Sequence, residues 1–184
     1  MANTESRVLG MSRAAKNSEK SKSATQDDGT IGFWLIKSKP SCYSIEQFAR
    51  DKKTLWTGIR NYQARNFMMT GMKSGDQFLF YHSNVESPGV FGVGYVVKPN
   101  QADPSALDQR GEQYDPRASH DHPVWFCAEV GYLGHLKHPL TLEEIKSIKE
   151  LNGMALLRKG RRLSIQPVSE AEFSIILKSA GGLK

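Results

Sequence analysis

An α+β domain, or a β-barrel carrying helices, is the fold class that the sequence predicts. Three observations predict it. At least four stretches have the length and the aromatic and β-branched content of strands. Stretches with helical spacing and capping residues fall between them, without the regular strand–helix alternation of a parallel α/β sheet. At 184 residues, with 39% apolar and 24% charged side chains, the chain suits one domain with a proper core and is short for two.

Residues 1–30 hold scarcely an aliphatic side chain, as in "MSRAAKNSEKSKSATQDDGT", and cannot bury enough apolar surface to offset the entropy of ordering. They are predicted to form a disordered tail. Order begins at Ile31, where "IGFWLIKS" reads as a buried strand. "SIEQFARD" follows as a helix, with Ser44 as N-cap and Ile45, Phe48 and Ala49 at helical spacing. Asn61 caps a second helix that carries Tyr62, Arg65, Phe67 and Met68 and ends at Gly71 as C-cap. "GDQFLFYHS" and "GVFGVGYVVK" are two strands joined by a Pro-Gly loop, and a polar connection spans 98–122. "VWFCAEVGYL" is another strand. "LTLEEIKSI" is a short helix opened by Thr141 with Glu144 three residues on. "RRLSIQPV" is extended, and "SEAEFSIILKSA" closes the chain as a helix with Ser169 and Glu172 in a capping box.

Several function classes are set aside at this stage. No stretch approaches the roughly 20 apolar residues of a membrane helix, and residues 1–30 lack the apolar core of a secretory signal. A soluble protein that stays inside the cell, with no membrane partner, is expected. Cys42 and Cys127 are too few for a disulfide scaffold and are read as reduced core or near-core residues. His120 and His122 flank Asp121, but "SHDHP" has the composition of a solvated turn, so no metal site is expected. "GVFGVG" lacks the Gly-Lys-Ser/Thr ending of a phosphate loop, and its glycines are read as permitting strand curvature. No cofactor is expected. The net charge is +6 and only +1 of it falls in residues 1–30, so the basic excess of the body points to a polyanionic partner.

One stretch stands out chemically. Trp56 to Asn66, "WTGIRNYQARN", gathers two aromatics, two arginines, two asparagines and a glutamine in eleven residues. Reading a base that has left its stack requires a flat apolar face and short donors and acceptors aimed at the base edge. Arginines beside them can hold the flanking phosphates bidentately.

"FWLIKSKP", "LWTGIRNYQARNFMMTGMKSGDQFLFYHSN", "YDP", Trp125 and "RLSIQPVSEAEF" together resemble the EVE domain, in the expected order across nearly all of the ordered chain. The resemblance implies a PUA-like β-barrel of five or six strands decorated with helices over residues 31–178, with a pocket that accepts a nucleobase. It implies a modified base as ligand, chiefly modified cytosine in DNA, whereas the related YTH domains hold methylated adenine of RNA. It also implies a cytoplasmic protein in a bacterium or a nuclear one in a eukaryote, and a monomer is expected. The family reads Lys-Ser-Glu-Pro where this chain has Lys37-Ser38-Lys39-Pro40, which reverses a charge near the implied pocket mouth.

The candidate base-binding residues are Trp34, Lys37, Ser38, Trp56, Asn61, Ser83, Asn84 and Trp125, and the candidate phosphate-binding residues are Arg60, Arg65 and Arg162. Each has a plainer alternative. Trp34 and Trp125 lie in strand-like runs suited to core burial, Asn61 can act as a helix cap, and Arg162 belongs to a basic run that can be a solvated face. Asp115 in "YDP" reads as a turn residue. Stacking at roughly 1–3 kcal/mol per base with a few hydrogen bonds of about 1 kcal/mol each corresponds to about millimolar to ten-micromolar binding. A binding module without catalysis is expected. The alternatives are a hydrolase of modified nucleosides that uses Lys37 in the same cavity, and a reader of modified bases in RNA.

Overall fold

The computed structural model describes residues 30–158, 160 and 163–184. Apart from Thr30, the segment predicted as a disordered tail lies outside the described residues, and so does Arg162. The elements are β1 (Phe33–Ser38), α1 (Ile45–Asp51), β2 (Lys53–Trp56), α2 (Tyr62–Asn66), β3 (Gln77–His82), β4 (Gly89–Ala102), β5 (Phe126–Thr141), α3 (Leu142–Ser147), β6 (Ile165–Val168) and α4 (Glu170–Ser179). α2 runs on into one π-helical turn, Phe67–Gly71.

The six strands form one mixed sheet in the order β2-β5-β4-β3-β1-β6. β1 and β3 pair in parallel, Lys37 opposite Tyr81 and Ser38 opposite His82, and the other pairs are antiparallel. The α+β class holds, but the expected barrel does not: the sheet stays open, with β2 and β6 as its edges. Those edge strands have four residues each, and nothing joins them. The curvature is taken up by the long pair β4 and β5, whose register shifts at several bulges.

Both faces of the sheet are covered, which explains why β1 reads as an unbroken apolar run instead of an alternating one. Trp34 and Ile36 point into a cluster with Phe48, Trp56, Met68, Phe78 and Phe80. Leu35 points the opposite way, into a cluster with Leu79, Tyr81, Leu136, Phe173 and Ile176. α1 and α2 belong to the first layer, α3 and α4 to the second.

The predicted caps are present. Ser44 accepts from Gln47 N, Asn61 from Gln63 N and Ala64 N, and Thr141 and Ser169 each form a complete capping box. Gly71 differs from expectation. The residue after the π turn, Met72, is extended, and Gly71 is not among the residues with positive φ. Its lack of a side chain is needed because a Cβ there would lie 3.0 Å from the Trp34 ring. Gly94 is tighter still. A Cβ would fall 2.3 Å from Phe78 Cζ and 2.8 Å from the Gly131 carbonyl, so the strand glycines allow close approach at the bulges. Two further differences concern β2, whose "KTLW" is too short to signal a strand, and β4, which extends to Ala102 and shortens the polar connection to 103–125.

Candidate functional site

The three tryptophans define the site by how their indole N–H groups are satisfied. Trp34 Nε1 donates to Asp76 Oδ2 at 2.8 Å. Trp125 Nε1 donates to Asp115 Oδ2 at 2.6 Å. Both rings are buried, and each is locked by a buried carboxylate. Trp56 is buried to the same degree, 8% exposed, but its N–H has no acceptor among the described residues, nor is that nitrogen sealed from solvent. It lines a cleft of about 450 Å³.

The cleft lies where β1 ends. Its walls are Lys37 to Lys39, Cys42 and Tyr43 on one side, and β2 from Thr54 to Trp56 with Thr57 and Ile59 on the other. Ser38 Oγ donates to the Tyr43 carbonyl at 2.7 Å and so fixes the turn that forms the first wall. Tyr43 Oη donates to Asp51 at 2.8 Å. Burial and that carboxylate push the phenol up to about 12, so it remains a donor at neutral pH. The Trp56 ring packs roughly perpendicular to Tyr43 and Phe80, at interplanar angles of 85° and 87°. Cys42 is exposed on the wall, contrary to its reading as a core residue, because the turn carries it away from β1. Cys127 is buried as expected, and burial followed by the charge of Asp103 pushes its thiol up to about 12.

Lys37 contributes to the lining, but its side chain belongs to the other face. Strand alternation sets it with Leu35, and its Nζ sits 5.6 Å from the Tyr81 ring centroid. Burial lowers its pKa. The cation at the cleft itself is Lys39. Ser83 lies beside the cleft, its N–H and Oγ both directed at the Ser38 carbonyl. Asn84 takes a left-handed turn conformation with φ of 58°. Neither lines the cleft.

A second group of predicted residues forms a separate cluster around the 103–125 connection. Arg60 donates to Asp103 at 2.8 Å, to Ser105 Oγ at 3.0 Å and to the Gln113 carbonyl. These partners tie the connection to the segment after β2. Burial pushes the Asp103 carboxyl up, but Arg60, Ser105 and the Gly58 N–H outweigh it and hold the group below the usual carboxylate range. Arg65 donates to the Val124 carbonyl and to Asn66. Both arginines lie against the Trp125 ring, which is also stacked on Tyr62 at 4.9 Å and 21°. Asn61 spends its side-chain oxygen on the α2 cap.

Asp115 does more than make a turn. Its carboxylate receives three hydrogen bonds from Arg117, two from the guanidinium and one from the backbone N–H, and one from the Trp125 N–H, and these hold it far below the usual carboxylate range. Lys39, placed near the implied pocket mouth by the sequence, does line the cleft, whereas sequence reasoning missed Tyr43, Thr54 and Thr57 there. β2 gives no strand signal of its own, and the wall at Tyr43 depends on a turn whose path Ser38 decides. The three buried aspartates at 76, 103 and 115 left one trace in the sequence: each begins or ends an aromatic- or proline-bearing stretch that needs an anchor.

The EVE domain family model matches residues 32–179. Human thymocyte nuclear protein 1 is 32% identical over 195 residues, covering 95% of this chain and 86% of the human protein. The solved structure of a hypothetical protein from Leishmania major superposes with a TM-score of 0.79 at 43% identity, over 83% of this chain and 96% of that one. The human THYN1 protein in complex with 5-methylcytosine containing DNA superposes with a TM-score of 0.76 at 32% identity, over 83% of this chain and 99% of that one.

Proposed function

The chain belongs to the EVE domain family, and from that membership we propose that it is a non-catalytic module that binds nucleic acid and takes a modified base, a modified cytosine of DNA, into the cleft at Trp56. On this reading its open six-stranded sheet is a PUA-like scaffold. The observation that carries the reading is the Trp56 N–H, the one indole donor of three with no acceptor among the described residues, on a residue that lines a cleft. A base edge supplies acceptors, and burying such an edge against an unpaired donor is favourable because neither group then stays unsatisfied. The cleft volume of about 450 Å³ falls within the range of small-molecule sites. The relative in complex with 5-methylcytosine containing DNA supports modified cytosine in DNA as the ligand. Binding without chemistry is supported by a lining of lysines, hydroxyls and one thiol with no carboxylate or histidine among them, and Asp51, which reaches the Tyr43 hydroxyl, adds to the burial that pushes that phenol up to about 12 instead of activating it.

Fluorescence anisotropy with matched duplexes carrying cytosine or 5-methylcytosine tests the reading. The methylated duplex is expected to bind more tightly. Trp56→Phe keeps an aromatic ring and removes the N–H, and should reduce affinity for the methylated duplex about 2- to 12-fold, the effect of one hydrogen bond. Equal affinity of the unsubstituted protein for both duplexes would overturn the proposal.

A further inference from the structure

We propose that Tyr62 is a stacking platform for the nucleobase next to the one held in the cleft. The proposal rests on the reading of the cleft at Trp56 and adds a second point of base contact. Tyr62 is the first residue of α2 and is 50% exposed, an unusual position for an aromatic ring on a domain whose other large rings are mostly buried. It is held rigidly. One face lies on Trp125, with centroids 4.9 Å apart and 21° between the planes, and Trp125 is in turn 4% exposed and fixed by Asp115.

Half of Tyr62 is exposed, and Arg65 does not cover the face turned away from Trp125. Arg65 Cζ lies 4.8 Å from the Tyr62 centroid and 5.9 Å from the Trp125 centroid, while the two rings are 4.9 Å apart. Those three separations form a nearly equilateral triangle. The guanidinium therefore sits beside both rings and not across Tyr62 from Trp125. An aromatic face backed by a buried ring and flanked by a cation suits a nucleobase, which brings a π-face and a phosphate together.

The spacing suits a neighbouring base. Ile59 forms the cleft wall, and the three residues from Ile59 to Tyr62 span at most about 11 Å of extended chain. The platform thus lies within one or two nucleotides of the cleft. Extruding a base exposes the faces of its neighbours, and a rigid aromatic ring supplied there replaces the lost stacking.

The test uses the full chain and duplexes that carry 5-methylcytosine with 2-aminopurine at the adjacent position. Unsubstituted protein should change the 2-aminopurine fluorescence on binding. Tyr62→Ala should abolish that change and weaken binding about 5- to 100-fold, while the ratio of affinities for methylated and plain duplexes stays the same. Tyr62→Trp should restore both signal and affinity. Thermal melting of each variant separates loss of the fold from loss of the platform. If Tyr62→Ala binds as tightly as the unsubstituted protein, or gives the same fluorescence change, the platform is overturned while the cleft reading stands. If the unsubstituted protein does not prefer the methylated duplex, the cleft reading fails, and an unchanged 2-aminopurine signal then overturns the platform as well.

Discussion

Trp56 combines two roles that pull against each other. Its ring is packed roughly perpendicular to Tyr43, Phe48 and Phe80, yet the residue lines the cleft and its N–H has no acceptor among the described residues. Truncation therefore cannot separate binding from folding. Trp56→Ala should lower stability by about 3–5 kcal/mol, the usual cost of removing a buried large aromatic side chain, as read by urea denaturation, whereas Trp56→Phe should cost far less. Asp76 is the converse case, a polar residue whose role is wholly internal. It is 2% exposed and accepts from Gly32 N, Trp34 Nε1 and Lys73 N. Asp76→Ala leaves those donors without their acceptor and should cost about 3 kcal/mol in the same measurement.

Each element is held at its ends and at its closest approaches. α1 begins against His82, whose Nε2 accepts the Ile45 N–H at 3.3 Å. Burial lowers the pKa of His82, against the opposing pull of Glu46 and the Ser38 backbone. With the folded value below the unfolded value of about 6.5, the neutral ring belongs to the folded state. Its stabilisation is complete above about pH 6.5 and is lost as the pH falls below that value, because the unfolded chain takes up the proton first. Denaturation at pH 7.5 and pH 5 should show this loss, and His82→Gln should reduce the difference between the two. At β4, Gly94→Ala should destabilise more than Gly71→Ala. The first would press on a ring carbon and a backbone carbonyl at 2.3 and 2.8 Å, the second on the rim of Trp34 at 3.0 Å.

At the scale of the whole molecule, the count of 25 lysines and arginines overstates what a polyanion can use. Arg60 is committed to Asp103 and Arg117 to Asp115. Nucleic-acid binding should weaken with salt, with a slope that corresponds to about two to four phosphates and no more. Titrations at several salt concentrations measure that slope, and a flat response would remove a phosphate-bearing partner. Arg65→Ala should lower affinity for methylated and plain duplexes alike and reduce the slope by about one, since the guanidinium lies at the surface beside Tyr62 with no carboxylate partner among the described residues.

The sequence by itself determined what is local. The caps at Ser44, Asn61, Thr141 and Ser169 follow from side chains that reach their own backbone, and the strands β1, β3, β4 and β5 follow from apolar runs of sufficient length. It also marked the stretch from Trp56 to Asn66 as chemically unusual, though not how its members divide. Tertiary structure alone decided that division. Tryptophans look alike in a sequence, but each N–H must find an acceptor once buried. Asp76 and Asp115 supply one for Trp34 and Trp125 from 42 and 10 residues away, and none among the described residues reaches Trp56. Tertiary structure likewise turned Lys37 toward Tyr81, because side chains alternate along β1. It left the sheet open as well, with β2 and β6 at its opposite edges.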